Sequence, residues 1–345
     1  MGYPEILGIL FIFYFLLNKI LVQQSIFLDP TKNLNHKTFL NKGNKVPFSG
    51  GILVLLSCLI LLSSEYNILK IFLFLIATIG LLSDLEILKS PAKRIIFQVF
   101  VIGIFLLSSG IFIETIRIKF FDDLLEIYYF KLIFTIFCLL ILLNGTNFID
   151  GLNTLVSIYY IMIIFCIFYL KYKFNYNFET ELLEITLLTL VVFLFFNFFG
   201  KSYLGDNGSY LIGFIIGVSL IDISNKSLFQ EETSRYLSPY FIACLLWYPA
   251  FENLFSIIRK KIKKISPIKP DNKHLHHLIF LQLKKKLKFD NRVLNTFSGI
   301  IINIYNLFVF LVSVHNFTNT KILLIILVFN VLIYISLYTF LKKGA

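Results

Sequence analysis

Acidic and amide side chains are concentrated in a few short segments of an otherwise apolar chain. One segment reads Leu204-Gly205-Asp206-Asn207-Gly208-Ser209, which places a carboxylate between glycines at the predicted start of a helix. The positive end of a helix at a membrane face suits a hard cation or a phosphate. An ordinary helix cap with turn glycines is the alternative, and this short segment alone does not decide between them.

A second segment, residues 144–153, reads Asn-Gly-Thr-Asn-Phe-Ile-Asp-Gly-Leu-Asn. Asn144, Asn147 and Asp150 recur every three residues, so on a helix or a tight turn they share one face. Oxygen ligands of this kind suit Mg²⁺ or Mn²⁺ carried by a nucleotide diphosphate. A polar loop with an Asp-Gly turn is the alternative, which the density of amide and carboxylate groups disfavours.

Asp84 ends an apolar run and is followed by the basic residues Lys89, Lys93 and Arg94. An ionisable group at the edge of a bilayer is a candidate functional residue, and the basic side chains could receive a phosphate. A helix stop followed by charges that only fix the topology would give the same pattern.

Three histidines, His274, His276 and His277, lie within four residues of one another in a long basic loop that also contains Asp271. No cysteine or further histidine stands at the spacing of a zinc site. We therefore expect these side chains to donate hydrogen bonds to phosphate or sugar oxygens.

The elements that must position these groups are predicted from composition. Of 345 residues, 57% are apolar and only 15% are charged, whereas soluble domains carry about 25% charge. Apolar runs long enough to cross a bilayer recur throughout, which predicts an all-α polytopic membrane protein with a single domain over residues 1–345. The expected spans are 5–22, 49–63, 68–82, 95–113, 130–143, 155–170, 182–199, 208–222, 239–258, 294–314 and 322–341.

The distribution of charge predicts the orientation. The alternate loops 23–48, 83–94, 144–154, 200–207 and 259–293 hold 20 Lys or Arg against 7 Asp or Glu, and the opposite set is nearly neutral. The positive-inside rule therefore places these loops in the cytoplasm and the N-terminus outside. The net charge of +12 is thereby explained by topology, so no nucleic-acid partner is expected. The candidate residues fall in these loops, which predicts one cytoplasmic active site.

In order and spacing, these loops resemble the polyprenyl-phosphate N-acetylhexosamine-1-phosphate transferases, glycosyltransferase family 4. The resemblance covers about residues 1–315 and is carried by the loops together, since each motif alone is weak. The matching segments are Asp29-Pro30 with His36, Val46 to Gly51, Ser83-Asp84 with Pro91 to Gln98, Asn144 to Leu155, Tyr203 to Ser209, and Asp271 with His274 to His277.

The resemblance implies a bacterial inner-membrane enzyme that moves a sugar 1-phosphate from a UDP-N-acetylhexosamine to a polyprenyl phosphate and releases UMP. It implies that Asp206 and Asn147 hold Mg²⁺ (or Mn²⁺), that Asp84 and Asp150 position the lipid phosphate or accept its proton, and that Tyr203 stacks on uracil. A homodimer is also implied. The predicted substrate-binding residues are Asn144, Asn153, Tyr203, Gly205, His36, Lys93, Arg94, His274, His276 and His277.

Two positions depart from the family pattern. Ser83 stands where the family usually has the first of two aspartates, so a role as base cannot be transferred to it. Asn153 stands where many bacterial members have Asp, although the eukaryotic branch is similar in having Asn. The departures raise the alternative of an altered substrate or a weakened enzyme.

The first loop and the histidine spacing favour the branch that initiates O-antigen, enterobacterial antigen and capsule synthesis. The muramyl-pentapeptide transferase branch, which usually has Pro-Thr-Met-Gly-Gly where this chain has Pro47-Phe48-Ser49-Gly50-Gly51, is the alternative. A membrane transporter is the alternative from another class, suggested only by Asn303 and Asn306. It is disfavoured because no internal repeat is seen and the charged groups gather at one face.

Overall fold

A computed structural model describes residues 2–28, 46–228, 236–266 and 273–344. Within these residues the chain forms thirteen α-helices. They are α1 Tyr3–Gln23, α2 Gly50–Leu61, α3 Asn67–Asp84, α4 Pro91–Ser109, α5 Lys119–Leu125, α6 Tyr128–Ile149, α7 Leu155–Phe174, α8 Glu181–Phe198, α9 Gly205–Leu228, α10 Pro239–Ile262, α11 Leu275–Lys286, α12 Asn291–His315 and α13 Thr320–Gly344.

The predicted all-α multi-pass architecture is confirmed. Across the described residues, ten helices are long and apolar enough to cross a membrane. The one expected span without such a helix, 49–63, corresponds to α2, which has only 12 residues. At 1.5 Å per residue the helix is about 18 Å long, shorter than the roughly 30 Å hydrocarbon layer of a bilayer. Helices α5 and α11 lie in the connections between spans.

Several helices extend into segments predicted as loops. α6 continues to Ile149 rather than ending at 143, and α9 begins at Gly205 rather than 208. The loop 259–293 contains the last residues of α10, all of α11 and the start of α12. Hydropathy marks where the side chains stop being apolar, whereas the backbone stays helical as long as its hydrogen bonds are made. Asn144 supports this by donating Nδ2 to the carbonyl of Leu140, one turn earlier, at 2.9 Å.

Residues of each predicted set of loops contact residues of the same set. Ser83, Asn147 and Asp206, from three loops of the first set, meet in one cluster. In the opposite set, Nζ of Lys226 lies 3.6 Å from Oε2 of Glu179, and Arg117 donates to Thr320 at 2.9 Å. The helices therefore alternate in direction as the sequence predicts. We call the end with the cluster the site end.

Helix α9 lies at the centre of the bundle and is buried over most of its length. Its first turn touches α2 and α3 through glycines, because a Cβ built on Gly51 would lie 1.5 Å from Oδ1 of Asn207 and one on Gly80 would lie 2.3 Å from the Cα of Asn207. Such close approach of backbones fixes the start of α9 against its neighbours.

We expect Gly80→Ala to lower the thermal stability of the protein. The new methyl group would overlap the backbone of α9 at Asn207, and overpacking of this kind costs about 1–3 kcal/mol. The measurement is the Tm of the detergent-purified variant. Gly8→Ala in α1 is the control, since a Cβ there meets no atom within 4 Å; equal Tm values for the two variants would contradict the prediction.

Candidate active site

The start of α9 is held by Asp84, the last residue of α3. Its Oδ1 accepts the backbone N–H of Asp206 at 2.8 Å and its Oδ2 that of Asn207 at 3.1 Å. Gly205 has φ +81°, and a Cβ on it would lie 2.7 Å from Oδ2 of Asp84. The carboxylate thus satisfies two of the amides that a helix N-terminus leaves unpaired. In this conformation Asp84 positions Asp206.

The side chain of Asp206 is the centre of the cluster. Its Oδ2 accepts hydrogen bonds from Ser83 Oγ at 2.6 Å and Arg94 Nη1 at 3.0 Å, and its Oδ1 accepts one from Asn147 Nδ2 at 2.8 Å. Arg94 also donates to Ser83 at 2.6 Å. The residue that departs from the family pattern, Ser83, therefore bonds directly to the predicted metal-binding carboxylate.

The other polar residues at the end of α6 face the same region. Asp150 accepts a hydrogen bond from Ser209 Oγ on α9 at 3.2 Å. Asn144 donates Nδ2 to Oε1 of Gln98 on α4 at 3.0 Å. The predicted shared face of Asn144, Asn147 and Asp150 thus contacts α4 and α9.

The histidines lie against the turn that follows α6. A Cβ placed on Gly151 would lie 2.6 Å from Nε2 of His276 and 2.7 Å from Nε2 of His277. Both imidazoles are buried, and their ring centroids are 4.2 Å apart. The ring of His274 lies 5.3 Å from that of Phe148. The absence of a side chain at Gly151 is what lets the two rings reach the Asp150-Gly151 turn.

Acid should destabilise the protein through His276. Burial, together with the nearby His277 and His274, lowers the pKa of His276 well below the ordinary value of 6.5. The unfolded chain takes up a proton that the folded state does not, so stability should fall as the pH drops below 6.5, by up to about 1.4 kcal/mol per pH unit.

The measurement is Tm as a function of pH between about 7.5 and 5.5, the range in which histidine titrates. His276→Gln should flatten the curve, and His315→Gln, at an exposed residue in the last turn of α12, should not. Parallel curves for the parent and His276→Gln would contradict the assignment.

Tyr203 lies where the first loop meets α9. Its backbone N–H donates to the carbonyl of Pro47 at 3.0 Å, and its ring centroid is 6.1 Å from that of Phe48. Below this pair, Ser49 donates to Oδ1 of Asn18 at 2.6 Å. His36, Asp29-Pro30 and Asp271, which the sequence also predicted for the site, lie outside the described residues.

Two predicted binding residues have different surroundings. Asn153 is buried, and its backbone N–H donates to Asn295 Oδ1 at 2.6 Å, which ties the turn to α12. Lys93 is exposed, one residue before Arg94. The structure therefore brings together Asp84, Asn147, Asp206 and Arg94, whereas the backbone of Asn153 binds α12.

The side chains of Asp206 and Asn147 fit a hard cation that is also bound by the phosphates of a substrate. Among the described residues, no three His, Cys, Asp or Glu side chains form a group that could hold a metal ion. Asp206 and Asn147 supply one carboxylate and one amide, and Mg²⁺ is usually bound by one or two carboxylates together with substrate phosphates and water. The side-chain O and N of an Asn are interchangeable by rotation, so Asn147 could turn its oxygen to such an ion.

Sequence reasoning left out two charged side chains on α10. Lys260 is buried, with Nζ 5.8 Å from the ring centroid of Phe148. Glu252 is buried within a membrane span and lies 2.8 Å from Nδ1 of His274. The signal for Glu252 was present, since an ionisable residue inside an apolar span is by default a functional candidate. Lys260 was hidden in a run of basic residues.

The asparagines that suggested a transporter serve packing. Asn303 donates Nδ2 to the carbonyl of Leu155 at 3.1 Å, and Asn306 accepts the indole N–H of Trp247 at 3.0 Å. Both side chains therefore bind groups of neighbouring helices.

The sequence is similar to known proteins over much of its length. Residues 66–224 match the family described as glycosyl transferase family 4. A probable undecaprenyl-phosphate N-acetylglucosaminyl 1-phosphate transferase of Bacillus subtilis (strain 168) is 24% identical, over 71% of this chain and 67% of the relative. Undecaprenyl-phosphate α-N-acetylglucosaminyl 1-phosphate transferases of Thermotoga maritima and Salmonella typhi are 25% and 22% identical, over 70% and 78% of this chain and 71% and 72% of their own lengths.

The matched region 66–224 contains Asp84, Arg94, Asn147, Asp150 and Asp206, which are the residues that meet at the start of α9. The ordered motifs, the multi-pass helical fold and these matches agree. Residues 66–224 thus match glycosyltransferase family 4, and about 70% of the chain is similar to undecaprenyl-phosphate N-acetylglucosaminyl 1-phosphate transferases.

Proposed function

We propose that this protein transfers N-acetylhexosamine 1-phosphate from a UDP-sugar to undecaprenyl phosphate, or another polyprenyl phosphate, and releases UMP. The observation that carries the proposal is the cluster around Asp206, in which a carboxylate at a helix N-terminus meets Arg94 and Asn147 at the site end of a membrane bundle. The match of residues 66–224 to glycosyltransferase family 4 and the names of the relatives support it.

The reaction joins two anions, so the site must neutralise charge and hold the groups in line. An oxygen of the lipid phosphate forms a bond to the β-phosphorus of the UDP-sugar, the bond between that phosphorus and the bridging oxygen breaks, and UMP leaves with that oxygen. Arg94 and the buried Lys260 provide positive charge. Asp206 and Asn147 would hold Mg²⁺ (or Mn²⁺), which supplies charge neutralisation on the diphosphate when bound.

The remaining residues orient the substrates. Asp84 fixes the first turn of α9 and thereby Asp206. Asp150 stands beside the histidine pair and takes the role of positioning the lipid phosphate or accepting its proton. His276 and His277 provide ring nitrogens at the Gly151 turn, where they bind phosphate or sugar oxygens. Tyr203 provides an aromatic face for the uracil.

The relatives favour one branch of the superfamily. All three relatives compared above carry N-acetylglucosaminyl 1-phosphate transferase in their names, so UDP-N-acetylglucosamine is the donor to test first. We therefore propose that the protein initiates lipid-linked envelope glycans in the bacterial inner membrane and does not act in muramyl-pentapeptide transfer.

The test measures UMP release by the purified protein with undecaprenyl phosphate, Mg²⁺ and a panel of UDP-sugars that includes UDP-N-acetylmuramyl pentapeptide. We expect release that requires the lipid phosphate and the metal together, with the highest rate for an N-acetylhexosamine donor. Folded protein that releases no UMP with any donor would overturn the proposal. A preference for the pentapeptide donor would overturn the branch.

A further inference from the structure

A buried acid and a buried base lie on one face of α10, next to the histidine segment. Glu252 and Arg259 are 1% and 7% exposed and stand two helical turns apart. A charged group in such a place is stable only if its hydrogen bonds are satisfied. Both find partners on the same two elements, α13 and the segment that leads into α11.

Glu252 bonds through both carboxylate oxygens. Its Oε1 lies 2.8 Å from Nδ1 of His274, and its Oε2 accepts the hydroxyl of Tyr334 at 2.6 Å. Because a carboxylate can only accept, Nδ1 of His274 carries the hydrogen of this bond. The carboxylate therefore fixes which edge of the His274 ring points into the bundle, and Tyr334 fixes the carboxylate.

Arg259 repeats the arrangement one residue earlier in the segment. Its guanidinium donates to the backbone carbonyl of Lys273 and, at 2.8 Å, to the hydroxyl of Tyr338. Tyr334 and Tyr338 are one turn apart on α13 with nearly parallel rings. Two consecutive residues, Lys273 and His274, are thus held by two consecutive turns of α13 through α10.

The orientation of His274 is passed to the residues at the site. Its ring is stacked on that of His276, with centroids 5.5 Å apart and an interplanar angle of 10°. His276 in turn contacts His277 and the Gly151 turn. A rotation of His274 would therefore displace the ring nitrogens that face the turn.

We propose that Glu252 and Tyr334 are positioning residues that orient His274 and, through it, the His276–His277 pair against the Gly151 turn. The inference rests on the proposed function for its effect on the reaction. Helix α13 lies outside the residues that match the family, and the inference gives it a role in the site. Its Tyr334 holds Glu252 by a hydrogen bond, and Glu252 in turn holds His274.

The test compares Tyr334→Phe and Glu252→Gln with a matched control, Tyr305→Phe. Tyr334→Phe removes a single hydroxyl. Tyr305→Phe also removes a single hydroxyl, one that donates to Asn330 on α13 at 2.5 Å, away from the histidines. We expect kcat/KM for the UDP-sugar to fall about 10–100-fold in the first two variants, with KM for undecaprenyl phosphate unchanged and the control like the parent.

A second measurement does not depend on turnover. Amide hydrogen exchange across residues 273–280 should be faster in Tyr334→Phe than in the parent and unchanged in Tyr305→Phe. Thus a parent that releases no UMP would overturn the proposed function and leave the exchange result to decide the positioning role. If the parent is active, the positioning role is overturned by unchanged kinetics in Tyr334→Phe and Glu252→Gln, or by an equal loss of kcat/KM for both substrates. Identical hydrogen exchange in Tyr334→Phe and Tyr305→Phe would also overturn it.

Discussion

Asp206→Asn is expected to abolish turnover, with kcat lowered by about 10³-fold or more. The change keeps the shape of the side chain but removes the negative charge that faces Arg94 and, in the proposed mechanism, the cation on the diphosphate. Loss of one aligned electrostatic contact in an active site already costs about 10²–10³-fold. Asp206 also accepts from Ser83 and Asn147, so its neutralisation disturbs three partners together.

The measurement is UMP release over a range of Mg²⁺ concentrations with saturating donor and lipid. Asp222→Asn is the matched control, because Asp222 stands on the same helix at the far end, paired with Lys226 at 2.9 Å. If Asp206→Asn retains the parent's rate and metal dependence, the assigned metal site is wrong. If both variants lose activity together with Tm, the effect belongs to the stability of α9.

The fold could be predicted because membrane insertion constrains the sequence strongly. Every backbone group in lipid needs an internal partner, so each apolar run is a helix, and the charge of the loops predicts on which side it ends. The exception is α2, whose 12 residues gave the same hydropathy signal as a full span. Hydropathy reports the environment of a segment, and it does not report how deep its first residue lies.

For the candidate site, the sequence predicts which residues gather at one end of the bundle, but not which hydrogen bonds they form. The spacing of Asn144, Asn147 and Asp150 places them on one face of a helix. Asp84 and Asp206 lie in alternate loops, which places them at the same end of the bundle. Which side chain bonds to which depends on the packing of distant helices. Asp84 illustrates the difference, since its position suggested a reacting group and the structure shows it bonded to two amides of α9.

Contacts between residues distant in the sequence are the part of the structure that the sequence did not predict. Glu252 lies in the expected span 239–258 and Tyr334 in the expected span 322–341, and neither belongs to a motif. Their meaning lies in a contact with His274 that joins α10, α11 and α13. No local periodicity encodes which third helix lies beside a given pair, so only the packed structure could reveal the link.

Gly151→Ala is expected to lower kcat/KM about 10²-fold while the fold is retained. The added methyl carbon would lie 2.6 Å from Nε2 of His276 and 2.7 Å from Nε2 of His277, so at least one ring must move. Both rings are enclosed, His276 completely and His277 with only 4% of its surface exposed. The displacement therefore cannot be absorbed by turning a ring into solvent, and misplacement of a binding group by about 1 Å costs roughly 10²-fold in rate.

The comparison with Gly103→Ala isolates this contact. Gly103 lies within α4, where a Cβ would meet only Cδ1 of Ile136 at an ordinary 3.5 Å. Both variants add one methyl group. A difference in kcat/KM at similar Tm therefore reports on the contact with the histidines and not on the general effect of an added methyl group. Activity of Gly151→Ala equal to that of Gly103→Ala would mean that the imidazoles can leave the turn without harm. The histidine pair would then have no part in binding the sugar phosphate. The proposal that Glu252 acts on the reaction by orienting this pair would then be wrong as well.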